Sequence, residues 1–305
     1  MDSTTFRIGG DLAVSRLGFG AMRLPTEPGA DREQSIAVVR RAVELGVTLI
    51  DTAFLYGGGA NEQLLTEALY PYPDDLLITT KVGVAQTGPE GEWRLDGRPE
   101  ILRDQVEQAL RRLRMDRIEL LQLHRVDPEV PVADQLGTLR ELRDAGKVGR
   151  IGLSEVSVAE LAQARESVEI VSVQNRYGVI DREHEPVLAA CAAAGIAFLP
   201  WRPLGAAVAP GAASGGTAEI AEITEVAGEL GATAAQVALA WLLHRSPVIL
   251  PIPGTARRDH LEENVAAAGL RLTPAHRERL DRLAQPAGHS TGTGTGTSTS
   301  TSTST

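Results

Sequence analysis

Four proton-handling side chains stand at or just after the ends of short apolar runs. Val47-Thr48-Leu49-Ile50 ends in Asp51, with Tyr56 five residues on. Leu76-Leu77-Ile78-Thr79-Thr80 ends in Lys81, and Ile118-Glu119-Leu120-Leu121-Gln122-Leu123 ends in His124. An acid, a phenol, an amine and an imidazole in one place would do general acid–base chemistry. A free phenol, with a pKa of about 10, holds its proton tightly at neutral pH, and a nearby ammonium lowers that value by stabilising the phenolate. Lys81 can supply the ammonium and Asp51 can hold it, while His124 can hydrogen-bond a substrate oxygen or polarise Tyr56. Lys81 and Lys147 are the only lysines, arginine carrying the rest of the positive charge, so a lysine at a strand end is not a product of composition.

Residues so far apart in sequence meet only if the elements that carry them converge. Residues 4–8 and 11–15 alternate around Gly9-Gly10, a two-residue hairpin signal. Leu17-Gly18-Phe19-Gly20 reads as a first strand. Helices are then predicted at 31–45, capped by Asp31 and ended by Gly46, and at 61–69, 98–114, 132–144, 158–166, 183–194 and across 218–243. Between them lie apolar strands at 47–50, 76–80, 118–123, 148–153, 170–173, 196–199 and 248–250. Eight strands, apolar on both faces and separated by helices, predict a parallel α/β fold. Functional residues at many strand ends favour an eight-stranded (β/α)8 TIM barrel, with the hairpin as a cap at one end, over an open sheet. Gly18-Phe19-Gly20-Ala21-Met22 lacks the third glycine of a dinucleotide fingerprint and opens no helix. One domain over 1–286, with a last helix at 274–283, is expected to precede a disordered Gly/Ser/Thr-rich tail at 287–305.

The chain has 305 residues, 43% hydrophobic and 23% charged, and a net charge of -10 that disfavours nucleic acid as a partner. The lone cysteine, Cys191, excludes an internal disulfide framework and reads as a small core residue of a reducing compartment. No uninterrupted apolar stretch reaches the roughly 18 residues of a membrane span, and the N-terminus lacks a basic flank before an apolar core. A cytoplasmic monomer or small homo-oligomer without membrane or metal partners is expected.

Several motifs together are specific enough to name a resemblance. They are Ile50-Asp51-Thr52-Ala53, Tyr56-Gly57, Asn61-Glu62, Thr80-Lys81, Leu121-Gln122-Leu123-His124, Gly152-Leu153-Ser154, Val173-Gln174-Asn175, Pro203-Leu204-Gly205 and Glu262-Glu263-Asn264. The chain resembles an aldo-keto reductase over residues 5 to 284, in the right order. The resemblance implies a barrel that binds NADP(H) in extended form, with NADPH expected over NADH. It implies that Tyr56 gives its proton to a carbonyl oxygen as hydride arrives from the cofactor, supported by Asp51, Lys81 and His124. It also implies cofactor contacts from Gly20, Ala21, Met22 and Asp51, from Ser154, Glu155 and Gln174, and from Trp201 stacked on the nicotinamide. Arg202, Leu204, Gly205, Gly254, Thr255, Arg257, Glu263 and Asn264 complete the implied cofactor site.

Two departures bear on cofactor binding. Glu155 stands where the family commonly has asparagine and, when ionised, cannot donate to the carboxamide oxygen. At the adenosine end the familiar lysine is Gly254 and the familiar arginine is His260, so Arg257 or Arg258 would have to grip a 2′-phosphate. Phe54, Trp93, Arg125 and Trp201 are the substrate candidates: the aromatics suit a planar carbonyl compound and Arg125 admits an anionic one. The loop from 82 to 97 is long enough to fold over the pocket. Tyr70-Pro71-Tyr72-Pro73-Asp74-Asp75, Leu121-Gln122-Leu123-His124-Arg125 and Phe198-Leu199-Pro200-Trp201 are similar to bacterial members that include pyridoxal reductases, which makes pyridoxal, an aromatic aldehyde or a biosynthetic ketone the expected substrate. The competing readings are a nucleotide-binding regulator of the same family, with little turnover, and a barrel enzyme using Lys81 as a Schiff base.

Overall fold

The computed structural model describes residues 4–87, 92–205 and 217–284, so the predicted tail at 287–305 lies outside the described residues. The strands are β1 (Thr5–Ile8), β2 (Leu12–Ser15), β3 (Phe19–Gly20), β4 (Leu49–Asp51), β5 (Leu77–Val82), β6 (Val84–Gln86), β7 (Trp93–Leu95), β8 (Ile118–Leu123), β9 (Val148–Ser154), β10 (Ile170–Gln174) and β11 (Ala197–Phe198). The α-helices are α1 (Ala30–Glu44), α2 (Ala60–Leu69), α3 (Pro99–Leu113), α4 (Val132–Asp144), α5 (Val158–Ser167), α6 (Glu185–Ala194), α7 (Thr217–Leu230), α8 (Ala234–Arg245), α9 (Arg258–Ala266) and α10 (Pro274–Asp281).

Seven parallel strands form one sheet in the order β11-β10-β9-β8-β5-β4-β3. Every residue of β5 and of β10 is buried, as strands covered on both faces must be. The predicted eighth strand is instead an irregular extended segment, joined to β11 by the single bridge Phe198–Ile249. Pro251 and Pro253 explain this, since neither can donate a ladder hydrogen bond. Both still accept: Gly18 N donates to Pro251 O at 2.9 Å and Gly20 N to Pro253 O at 3.2 Å. On the other side Phe198 N donates to Val248 O, and Leu250 N to Phe198 O, both at 2.8 Å. The segment is therefore hydrogen-bonded to both edges of the sheet.

The hairpin turns at Gly9 and Gly10, whose positive φ values of 61° and 87° suit a two-residue turn. Its Ile8 and Val14 join one buried cluster with Leu49, Leu77, Leu120, Leu199 and Leu250. α1 begins one residue before the predicted start, on Gly29, so Asp31 lies in its first turn and does not cap it with its side chain. α5, α8 and α10 carry reciprocal capping boxes at Ser157/Glu160, Thr233/Gln236 and Thr273/His276. The loop read at 82–97 contains the antiparallel ribbon β6–β7, paired Val84–Leu95 to Gln86–Trp93. Among the described residues no single helix is long and apolar enough to cross a membrane.

Candidate active site

Strand register delivers the proton-handling residues to one rim. Asp51 ends β4 opposite Thr79 of β5, Lys81 pairs with Gln122 of β8, and His124 follows β8 with its N–H on Val82 O at 2.8 Å. The turn after β4 is tied back by Phe54 N to Lys81 O at 3.0 Å, which brings Tyr56 over the lysine.

The Lys81 ammonium is fully buried and has an acceptor for each of its three protons: Asp51 Oδ2 at 2.7 Å, Thr52 O at 2.8 Å and Tyr56 Oη at 3.3 Å. Because Tyr56 Oη accepts from Lys81, its own proton is free to be given elsewhere. Asp51 Oδ1 accepts from Gln174 Nε2 at 2.8 Å and Gln122 Nε2 at 3.2 Å. The Gln122 contact was missed from sequence, although a glutamine inside the apolar run 118–123 was its signal.

Burial pulls the Lys81 pKa down, but Asp51 and Tyr56 outweigh it and the net shift is upward. Burial raises the Tyr56 pKa more than Lys81 lowers it, so the phenol lies above its ordinary value. This corrects the expectation of a net-depressed phenol: Tyr56 keeps its proton at neutral pH, as a donor should. Burial, with the charges of Lys81 and Arg125, holds His124 near a pKa of about 2, so the imidazole is neutral. Its ring meets that of Tyr56 edge-on at 6.2 Å, and its buried Nδ1 has no hydrogen-bond partner. The edge contact gives the phenol no hydrogen bond from the imidazole.

Asp51, Tyr56, His124 and Gln174 open onto a cavity of about 1050 Å³ that reaches Glu263 and Asn264 at α9. Gly20, Met22, Asp51, Tyr56, His124, Ser154, Gln174 and Trp201 line it, as do Arg202, Leu204, Gly205, Gly254, Thr255 and Arg257. Trp93, exposed on β7, and Arg125 line it as well. The size suits an extended dinucleotide, and so does the bare backbone along one wall. A Cβ on Gly254 would lie 2.5 Å from Gly20 O, which is why no lysine can stand at 254 in this backbone. Arg23, the start of α8 at Thr233-Ala234-Ala235, and His260 also line the cavity without having been proposed as contacts.

Four candidates are not among the lining residues, and the first of them, Lys81, is fully buried and meets the cavity only through Asp51 and Tyr56. Ala21 is buried and uses its backbone: its N–H donates to Asp51 O at 2.9 Å, and its carbonyl accepts from Asn61 Nδ2 at 2.8 Å. The Phe54 ring lies against the Arg112 guanidinium at 4.6 Å. Glu155, held at a left-handed φ of 54°, uses Oε1 to accept from Arg176 N at 2.7 Å and from the Trp201 indole N–H. Its carboxylate thus fixes Trp201 in the cavity wall.

The model of the Aldo/keto reductase family matches residues 16–285. The chain belongs to this family. An uncharacterized oxidoreductase of Schizosaccharomyces pombe is 45% identical over 278 residues, 89% of this chain and 87% of its own length. Pyridoxine 4-dehydrogenase of Escherichia coli is 40% identical over 295 residues, 93% of this chain and 100% of its own. An aldo-keto reductase from Klebsiella pneumoniae, crystallised in complex with NADPH, superposes with a TM-score of 0.78 at 27% identity, covering 93% of this chain and 95% of that one.

At the α9 end of the cavity of this oxidoreductase both arginines are paired with carboxylates. Arg257 is engaged through Nε and Nη2 by Asp259, with Nε to Oδ1 at 3.1 Å. Arg258 is held by Glu262 at 3.1 Å and is not among the lining residues.

Proposed function

We propose that this chain reduces an aldehyde or ketone to an alcohol with NADPH, Tyr56 giving the proton. The observation that carries the reading is the buried Lys81 ammonium, shared among Thr52 O and the two cavity-lining groups Asp51 and Tyr56 Oη. It leaves the phenol with one proton to give and a cation to stabilise the phenolate that results. The cofactor, when bound, supplies the hydride. His124, neutral, donates to the carbonyl oxygen and orients it toward Tyr56. Ser154 and Gln174 would hold the carboxamide, and Trp201, steadied by Glu155, would stack on the ring. Exclusion of water by the cavity wall strengthens each of these contacts.

The extended segment at 248–253 fits the role of eighth stave in a closed (β/α)8 barrel, capped by the hairpin at the end remote from Tyr56. The 40% identity to a pyridoxine 4-dehydrogenase makes pyridoxal the first aldehyde to test. The experiment is nicotinamide oxidation against a carbonyl panel that includes pyridoxal and an aromatic aldehyde, with NADPH and NADH in parallel. NADPH consumption matched by alcohol formation supports the reading; tight NADPH binding without turnover on any carbonyl would favour a regulator.

NADPH preference depends on Arg257, and Asp259 competes with the 2′-phosphate for that guanidinium. Asp259→Asn should therefore raise the NADPH-to-NADH ratio of kcat/KM by about tenfold, because a released guanidinium can grip phosphate bidentately. A ratio that does not move would exclude Arg257 as the phosphate ligand.

A further inference from the structure

Four arginines line the cavity, and one of them is placed unlike the rest. Arg23 and Arg202 are exposed, and Arg257 is paired with Asp259. Arg125 is partly withdrawn from solvent, directly after His124 and beside the end of β9. Its Nη1 donates to His124 O and to Ser154 Oγ, the latter at 3.1 Å, both uncharged acceptors. Among the described residues no carboxylate forms an ion pair with it, and its Nε and Nη2 have no acceptor. That free edge is the one with which a guanidinium grips two oxygens side by side.

Leaving a partly buried guanidinium without a counter-charge is costly. The cost shows as a pKa pushed down by burial, with Glu155 and Tyr56 opposing that shift. Glu155 turns its Oε1 to Trp201 and Arg176 N and makes no ion pair with Arg125. Lys81 is offset by Asp51 and His124 is neutral, so Arg125 brings positive charge to this end of the cavity, where Glu155 acts on it without forming an ion pair.

We propose that Arg125 is a specificity-determining residue that binds an anionic oxygen of the substrate. The natural substrates are then aldehydes or ketones bearing a carboxylate or an ionised ring hydroxyl beside the carbonyl. This rests on the carbonyl-reducing reading above. Nη1, tied to His124 O and Ser154 Oγ, anchors the guanidinium, while Nε and Nη2 receive the anion. The same charge would stabilise the alkoxide as it develops on the neighbouring carbon.

The test uses one ketone in two charge states, phenylglyoxylate and its methyl ester, with the wild type, Arg125→Met and Arg125→Lys. The acid-to-ester ratio of kcat/KM should fall about 100-fold in Arg125→Met, the scale for removing one partner of a charge-assisted pair, with Arg125→Lys intermediate. A second readout is calorimetric binding of mandelate and mandelamide to the enzyme–NADP+ complex. Arg125→Met should weaken mandelate about 100-fold and mandelamide far less. Equal losses for acid and ester, or for mandelate and mandelamide, would overturn the proposal and assign Arg125 to the cofactor or to the loop. If the wild type turned over neither ketone yet bound mandelate through Arg125, the charge assignment would stand, and the reductase reading would be decided separately by the carbonyl panel above.

Discussion

Tyr56→Phe should lower kcat for carbonyl reduction by about 10² to 10⁴-fold while NADPH affinity changes little. The substitution removes one oxygen and one proton and keeps the ring edge-on to His124. No neighbour can take over as donor. Lys81 is committed to Asp51 and Thr52 O, and its pKa is raised, which makes it a weaker acid. His124 is neutral, with a pKa of about 2, and a neutral imidazole is a far weaker acid than a phenol. The pH profile gives an independent check. Because burial raises the Tyr56 pKa, the proton-loaded form persists through neutral pH, and wild-type reduction should decline only above the ordinary phenol range, about pH 10. Alcohol oxidation needs the phenolate and should climb as the pH rises toward the same value. His124 should add no break near its ordinary pKa. Steady-state kinetics in both directions would check these expectations, and a Tyr56→Phe enzyme retaining a tenth of wild-type kcat would exclude the phenol as donor.

Much of this site is legible in sequence because parallel strands end on a common rim. A run such as Leu76-Leu77-Ile78-Thr79-Thr80 announces a buried strand, and the polar residue that closes it must face the rim. What periodicity cannot carry is the partner of each polar group. The third acceptor of Lys81 is a backbone carbonyl at Thr52, and Asp51 is held by glutamines from two other strands, contacts that exist only once the register is set. The direction of the Tyr56 shift was misjudged for a related reason: sequence reveals the nearby lysine but not the depth of burial that outweighs it. The segment at 248–250 has strand composition, yet Pro251 and Pro253 deny it a regular ladder. β6 and β7 were missed because each is three residues long, too short for an alternation to register. Glu155 was placed on the cofactor by analogy with an asparagine, but its carboxylate turns to the indole N–H of Trp201.

Lys81→Met should separate the two roles of the buried ion pair. Removing an ammonium that is 0% exposed leaves Asp51, 4% exposed, with two glutamine amides and no cation. Breaking a buried pair from one side costs about 3 to 5 kcal/mol, since the remaining charge stays desolvated. Loss of the cation that stabilises the phenolate should also lower kcat by about 10² to 10³-fold. Asp51→Asn in the Lys81→Met background removes the stranded carboxylate. The double variant should recover stability, with a coupling of about 1 to 3 kcal/mol relative to the sum of the single changes. It should recover no activity, because the phenol still lacks its cation. The Lys81 pKa is raised in the folded protein, so the contribution of the pair is complete below the ordinary lysine value. It is lost only as the pH climbs through the raised one, and the wild-type advantage should therefore be flat across neutral pH. Urea unfolding followed by tryptophan fluorescence gives the stabilities. Strictly additive losses would mean that Asp51 is retained for its hydrogen bonds to Gln122 and Gln174 rather than for its charge on Lys81.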